Sequence, residues 1–305
     1  MEQPYHLPVL LSEVLEFLDC RPGKVYVDGT IGSGGHSKGI LERSSPTGKL
    51  IGLDWDEEAL KRARENLSSF GGRVELRKAN FKDLESVLRF LSIPGVDGIL
   101  LDLGVSTEQL EDRKRGFSFR WDAPLDMRMS QEAEITAQDL LQNLSAEELG
   151  ALIRNYGEER WAHRIAKGIV RRRQRVPIAT TRELVEVIEK SIPPPKRRIH
   201  PATRTFQALR ISINEELNNL KIFLSQCPGL LNPGGRLCII SYHSLEDRIV
   251  KNYFREWAPK KGEKEWVFRL LTRKPVIPSP GEVAQNPRAR SAKMRIVEKL
   301  SESRS

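Results

Sequence analysis

Apolar residues along this chain come in short runs separated by longer stretches of helical spacing. Runs at 24–27, 50–53, 74–76, 98–101 and 236–240 stop at or near polar residues, and a sixth lies at 294–297. Short continuous runs of this kind mark strands covered on both faces. Between them, Ala59, Ala63 and Leu67, and then Phe81, Leu84, Val87 and Leu88, recur at the spacing of one helix face. The alternation predicts an α/β fold built on a mostly parallel sheet.

One interval breaks the rhythm. The runs begin 20 to 30 residues apart until Asp102, and then more than 130 residues pass before Arg236. A crossover needs about 30 residues, so roughly 100 are inserted. The insertion reads as helical. Ser145 and Glu148 form a capping box ahead of Leu149, Leu152, Ile153 and Tyr156, with Gly157 as the stop. Trp161, Ile165 and Ile169 line a second helix, and Thr180 with Glu183 caps a third that carries Leu184, Val187 and Ile188. Phe206, Leu209, Ile213, Leu217, Leu220 and Leu224 predict one long helix returning to the sheet. The expected organisation is a first sheet segment at 1–112, an inserted helical basic domain at 113–215, and the last strands with a basic region at 216–305.

Charge changes the picture next. The formal net charge is +9, and residues 154–210 alone hold 15 Lys or Arg against 5 acids. The runs 171–175 and 196–200 are the densest, and 255–295 adds a second basic region with Trp257, Trp266 and Phe268 available for stacking. Such an excess points to a polyanionic partner, and in this arrangement to nucleic acid. The three cysteines, Cys20, Cys227 and Cys238, form no C-x-x-C pair, and the five histidines show no i,i+4 metal spacing. Neither a disulfide framework nor a metal site is expected, which suits a reduced compartment. No run approaches 18 apolar residues and the start lacks a signal-peptide pattern, so the expectation is a cytoplasmic protein without a membrane partner.

Candidate chemistry concentrates at Val25-Tyr26-Val27-Asp28-Gly29-Thr30-Ile31-Gly32-Ser33-Gly34-Gly35-His36-Ser37. A β-branched run ends at an aspartate, passes through a glycine turn and opens into a helix. Glycines let the backbone approach a ligand closely, and a helix N-terminus favours negative charge. Asp54 ends the next strand twenty residues after Gly34, where a carboxylate suits ribose hydroxyls. Together these describe a nucleoside cofactor site. Ser37, standing where a dinucleotide fingerprint has glycine or alanine, counts against a nicotinamide enzyme.

Further blocks follow in order: His6-Leu7-Pro8-Val9-Leu10-Leu11, Gly98-Ile99-Leu100-Leu101-Asp102-Leu103-Gly104-Val105-Ser106, Arg115-Gly116-Phe117-Ser118-Phe119, Pro124-Leu125-Asp126-Met127-Arg128, Arg204-Thr205-Phe206-Gln207-Ala208-Leu209-Arg210-Ile211 and Ser241-Tyr242-His243-Ser244-Leu245-Glu246-Asp247-Arg248. With them the chain closely resembles the bacterial small-subunit ribosomal RNA cytosine-N4 methyltransferase family. The resemblance implies a seven-stranded, mostly parallel class I methyltransferase sheet with an inserted all-helical domain. It implies S-adenosyl-L-methionine as cofactor and a cytosine in the decoding region of small-subunit ribosomal RNA as substrate; no protein partner is inferable. Carried over by motif, Gly34, Gly35, His36, Asp54, Phe81, Asp102 and Gln109 would hold the cofactor, with Asp102 also the candidate catalytic acceptor.

Methylation at cytosine C5 requires an enzyme thiolate, and no cysteine sits in the 102–106 strand-end motif, which favours attack by an exocyclic amine. The motif also lacks the aromatic that many amino methyltransferases stack on the base, leaving Phe117, Phe119, Trp121 and Tyr242 as candidates. His243 either contacts substrate or caps the helix that follows. Two alternatives remain open at this point: a cofactor-binding ribosome-assembly factor without turnover, and a DNA amino-methyltransferase acting on a flipped base.

Overall fold

The computed structural model describes residues 8–193, 200–258 and 268–300. The start of the first motif (His6, Leu7), the basic run at 196–199 and Trp266 lie outside them. The chain divides into two units, one of Met1–Gly104 with Leu217–Ser305 and one of Val105–Glu216.

The first unit is built on a seven-stranded sheet. Its strands are β1 (Val25–Asp28), β2 (Lys49–Asp54), β3 (Val74–Lys78), β4 (Val96–Asp102), β5 (Leu231–Ser241), β6 (Phe268–Leu270) and β7 (Lys293–Lys299). They run in the order β3-β2-β1-β4-β5-β7-β6. The first five are mutually parallel, and β7 lies antiparallel between β5 and β6. This is the class I methyltransferase sheet that the resemblance implies.

Helices α1 (Leu11–Phe17), α2 (Gly35–Arg43), α3 (Glu57–Asn66) and α4 (Leu84–Phe90) alternate with the first four strands. Successive side chains of a strand point to opposite faces. On β4, Ile99 and Leu101 join a core with Leu84, Leu88 and Phe223, whereas Leu100 joins one with Val14, Ile40, Leu41 and Leu60. Both faces of the strand are therefore dry, which is why its sequence is a continuous apolar run. Glycine within β2 serves packing: a Cβ at Gly52 would lie 2.2 Å from Ile31 Cδ1 and 2.7 Å from Leu76 Cδ2.

The second unit is helical: α5 (Thr107–Glu111), α6 (Ala137–Asn143), α7 (Ala146–Gly157), α8 (Ala162–Arg173), α9 (Thr181–Ser191) and α10 (Thr203–Ile213). Capping boxes open α5, α6, α7 and α9, at Ser106/Gln109, Thr136/Asp139, Ser145/Glu148 and Thr180/Glu183. The long connection between α5 and α6 is stitched by arginines. Buried Arg115 donates to the carbonyls of Arg128 and Met129 at 2.7 and 2.8 Å. Arg128 forks onto Asp126 at 2.7 and 2.8 Å and reaches the Ala133 carbonyl at 2.6 Å. The left-handed residue that ends α7 is Glu158, at φ 49°, and not Gly157. Gly157 is small for another reason, because a Cβ there would lie 2.5 Å from the Arg204 carbonyl on α10.

Beyond α10 come α11 (Glu216–Leu230), α12 (Ser244–Trp257) and α13 (Pro280–Gln285). The single long helix expected across 206–224 is therefore two. The break falls at Asn214 and Glu215, the latter at φ 47°. Asn214 is buried and turned aside, accepting the Met129 N–H at 2.7 Å and donating to the Met127 carbonyl at 2.9 Å. Two further expectations need correction. The three-residue β6 was not anticipated, and its Phe268 is fully buried against Trp257, with ring centroids 4.8 Å apart, so it offers no face to a base. Part of the C-terminal basic region is internally neutralised, Arg295 by Asp247 at 2.6 Å and Arg269 by Glu298 at 2.7 Å. Among the described residues, no helix is long and apolar enough to cross a membrane.

Phe223 of α11 is fully buried and meets Phe81 edge-on at 6.0 Å. Phe223→Ala is expected to cost about 3–5 kcal/mol through lost transfer energy and a residual cavity. Urea unfolding followed by circular dichroism checks this, and a loss under about 1 kcal/mol would mean that the site collapses freely.

Candidate cofactor and catalytic site

Parallel strands bring their carboxyl ends to one edge of a sheet, and in open α/β sheets ligands bind beyond that edge. Asp28 ends β1 and pairs with Gly52 on one side and Leu100 on the other, so Asp54 and Asp102 each project two residues further along the neighbouring strands. Between these ends runs the turn from Gly29 to Gly34.

Asp28 fastens that turn. Its side chain is buried and accepts from the Thr30 N–H at 3.2 Å and the Ser37 hydroxyl at 2.7 Å, tying the strand end to α2. Thr30 in turn uses its hydroxyl oxygen to accept the Asp102 N–H at 2.7 Å. The Gly32 N–H donates to Asp54 Oδ2 at 3.0 Å, and the Asp56 N–H donates to Oδ1 at 2.9 Å. Asp54 is thereby oriented, and each oxygen keeps a second acceptor site for a ligand hydroxyl.

The glycines divide by role. Gly34 is the N-cap of α2 at φ 89°, a left-handed conformation, and a Cβ there would press on Leu67 at 3.2 Å. A Cβ on Gly35 would lie 2.7 Å from Pro8 Cγ, so this glycine answers to the chain's own packing. Gly32 alone in the turn has an open flank, where a Cβ would meet nothing nearer than the Thr30 carbonyl at 4.0 Å. No side chain caps α2 and no acid lies in its first turn, leaving that end receptive to a carboxylate.

His36 is buried in the first turn of α2. Its Nε2 donates to the Val9 carbonyl at 2.9 Å, and its Nδ1 stands 3.8 Å from Asp102 Oδ2. The other Asp102 oxygen accepts the Tyr242 hydroxyl at 2.8 Å. A quarter of the Asp102 side chain remains accessible. Phe81 opens the turn after β3, partly buried, with its ring edge-on to Phe223. Glu246 accepts the Tyr242 N–H at 2.9 Å and the His243 N–H at 3.3 Å. His243 Nδ1 accepts the Glu246 N–H at 3.4 Å, so this histidine caps α12.

The electrostatics follow from burial. Asp54 and Asp102 are both pushed up to about 6, chiefly by desolvation and further by the Asp28 carboxyl. Burial also raises Asp28, with His36 and the Ser37 hydroxyl opposing it. Three acids crowding one edge favour a ligand that carries positive charge and hydroxyl donors. With the open flank at Gly32 and the uncapped end of α2, these residues fit S-adenosylmethionine, whose sulfonium and amine are cationic and whose carboxylate suits the helix end.

The remaining candidates belong to the second unit and are described within it. Gln109 is buried; its amide oxygen accepts the Ser106 N–H at 3.1 Å, closing the α5 cap. The pattern Ser106-x-x-Gln109 is itself a capping signature that the sequence could have supplied. Phe117 is buried beneath Arg115, Phe119 stacks on His200 at 4.5 Å, and Arg113 lies over Trp121 at 4.6 Å. Tyr242, a stacking candidate from the sequence, bonds Asp102 through its hydroxyl, a contact across 140 residues that no local pattern signals.

Comparisons with known proteins identify the relatives of this chain. The model of the MraW methylase family matches residues 3–300. The chain is 50% identical over 306 residues to a protein of Syntrophobacter fumaroxidans named ribosomal RNA small subunit methyltransferase H, covering 96% of each. It is 52% identical over 307 residues to the protein of the same name from Geobacter sulfurreducens, covering 97% of this chain and 99% of that one. The chain thus belongs to the MraW methylase family, and it is an S-adenosylmethionine-dependent methyltransferase.

Proposed function

We propose that the chain methylates the exocyclic N4 amine of a cytosine in the decoding region of small-subunit ribosomal RNA. The naming of the relatives supports the RNA, and the resemblance of the motif blocks supports the base and the region. A ribosomal substrate makes the cytoplasm the compartment of action. The observation that carries the amine is Asp102, a carboxylate at the end of β4 with one oxygen held by Tyr242 and the other turned toward His36 without a bond. C5 chemistry would need a reactive thiolate, yet Cys20, Cys227 and Cys238 are all buried and burial raises each thiol.

S-adenosylmethionine supplies an activated methyl group on a sulfonium. Asp54 would hold the ribose hydroxyls, the open flank of Gly32 would admit the methionine part, and the first amides of α2 would meet its carboxylate. Gly34, Gly35 and His36 shape that turn, and Phe81 and Gln109 are the further cofactor candidates that the motif resemblance supports. The cytosine N4 lone pair is delocalised, so orientation and electrostatics carry the rate. Asp102 would accept an N–H from the amine and take the proton that N4 sheds as its bond to the methyl carbon forms and that carbon's bond to sulfur breaks, leaving a neutral thioether.

Incubation with labelled S-adenosylmethionine and, separately, naked small-subunit RNA, assembled small subunits and DNA tests the substrate. Label is expected in N4-methylcytidine from the ribosomal RNA. Label in 5-methylcytidine, or in DNA alone, would overturn the assignment.

Cofactor affinity is expected to depend on pH with a definite sign. A ligand that hydrogen-bonds ionised Asp54 lowers its pKa on binding, so affinity is full above about pH 6 and falls as pH drops through it. Asp54→Asn should weaken binding by about 1–3 kcal/mol and remove part of that dependence. Titration calorimetry from pH 5 to pH 8 measures both.

Asp102 and Tyr242 separate in single-turnover assays at saturating cofactor. Asp102→Asn should slow methyl transfer by about 10- to 1,000-fold. Tyr242→Phe should slow it less, and it carries a pH signature. The Tyr242 hydrogen bond holds Asp102 down, so its loss raises that carboxyl above about 6 and moves the acid limb of the rate profile to higher pH. An acid limb unchanged in Tyr242→Phe would remove Asp102 from the rate profile.

A further inference from the structure

We propose that the exposed face of α8 is the track that holds the phosphate backbone of the RNA substrate, an inference that rests on the ribosomal RNA reading above. Residues 160–182 contain eight Lys or Arg and no Asp or Glu. The apolar side of α8 buries Ala162, Ile165, Ala166 and Ile169. On the opposite side Arg164, Lys167 and Arg171 stand exposed at three- and four-residue spacing, with Arg160 before the helix and Arg175 after it. Neighbours at this spacing have Cβ atoms about 5–6 Å apart, so the long side chains form one row of cations.

The dense run at 171–175 is not uniform. Arg172 is engaged within the unit, at the Val176 carbonyl (2.6 Å) and Glu183 (3.6 Å), and Arg173 donates to the Leu141 carbonyl. Among the described residues, none of Arg164, Lys167 and Arg171 has a carboxylate at ion-pair distance. Elsewhere the molecule balances its helix charges, pairing Arg89 with Glu85 at 2.9 Å and Lys190 with Glu186 at 3.7 Å across one turn.

Helix electrostatics account for only part of the row. Cations in the last turn, such as Arg171, complement the negative end of the helix. Arg164 lies in the first turn and Arg160 just ahead of it, at the positive end, and the acid there, Glu159, accepts the Trp161 N–H at 2.9 Å and pairs with Arg204 at 3.8 Å. Like charges at this spacing work against an isolated helix. A polyanion reverses that balance.

Trp161 adds order. Its half-buried ring has the guanidinium carbon of Arg160 and that of Arg164 each 4.8 Å from its centroid. Stacking restrains two flexible cations before any ligand arrives and leaves their N–H edges free for phosphate oxygens. Every exposed side chain between 160 and 175 is polar, which suits a phosphate backbone and gives a membrane nothing apolar to bury.

The test uses the full chain carrying Arg164→Gln, Lys167→Gln and Arg171→Gln together, since glutamine keeps length and helix propensity. Binding of naked small-subunit ribosomal RNA is measured across a salt series, alongside methylation of that RNA by the unaltered protein. The salt slope is expected to fall by about 2–3 units, at roughly 0.7–0.9 per lost phosphate contact, with S-adenosylmethionine affinity unchanged. A control with Lys61→Gln, Arg64→Gln and Arg89→Gln removes the same charge from exposed positions of the first unit and should leave the slope nearly unchanged. Equal slope losses in both variants, or no loss in the α8 variant while the unaltered protein methylates the RNA, overturn the track alone. An unaltered protein that neither binds nor methylates the RNA overturns the substrate reading and the track together.

Discussion

The sheet edge depends on a single buried carboxylate. Asp28 takes the Thr30 amide and the Ser37 hydroxyl, locking the turn between β1 and α2. From that locked turn Thr30 reaches the Asp102 backbone and Gly32 reaches the Asp54 side chain. Three strand ends are thus referred to one loop. An isolated buried carboxylate is expensive. Here the expense is met with hydrogen bonds and with the nearby His36, and the return is a rigid frame in which Asp54 and Asp102 have fixed directions.

That frame has an electrostatic consequence. Desolvation raises Asp28, Asp54 and Asp102 together, and Asp28 adds to the shift of the other two. The edge is left holding more negative charge than it would choose. A cationic ligand relieves the repulsion, so its binding is favoured by strain already present in the empty frame. The same repulsion favours a cofactor with a cationic sulfur over one whose sulfur is neutral.

Legibility in the sequence tracked the range of the interactions. Strands β1 to β5 and β7 could be read because burial on both faces writes itself into consecutive apolar residues. The boxes at Ser145/Glu148 and Thr180/Glu183 could be read because a cap is settled within four residues. What escaped depends on distant partners. The helix break at Asn214 is set by the backbone of Met127 and Met129 across 85 or more positions. Phe268 and Arg295 looked available for nucleic acid because their partners, Trp257 and Asp247, lie elsewhere in the chain. Tyr242 looked like a stacking ring because nothing local reveals a hydroxyl bonded to Asp102, 140 residues away.

The glycine turn shows that packing can demand a glycine where ligand approach would demand one too. Ligand approach was the argument for Gly34 and Gly35, yet the nearest obstacles to a side chain there are Leu67 and Pro8. Gly34 also sits at φ 89°, where any L residue is strained. Valine at Gly34 would disturb α2 itself, so a loss of cofactor binding in that variant would report on the fold as much as on the site. The carboxylates are the cleaner probes. Asp54→Asn and Asp102→Asn change charge at nearly constant shape, in positions whose directions the backbone already fixes. The open glycine is Gly32, and its amide is committed to Asp54. Glycines here build the turn, and the acids at its edge carry its negative charge.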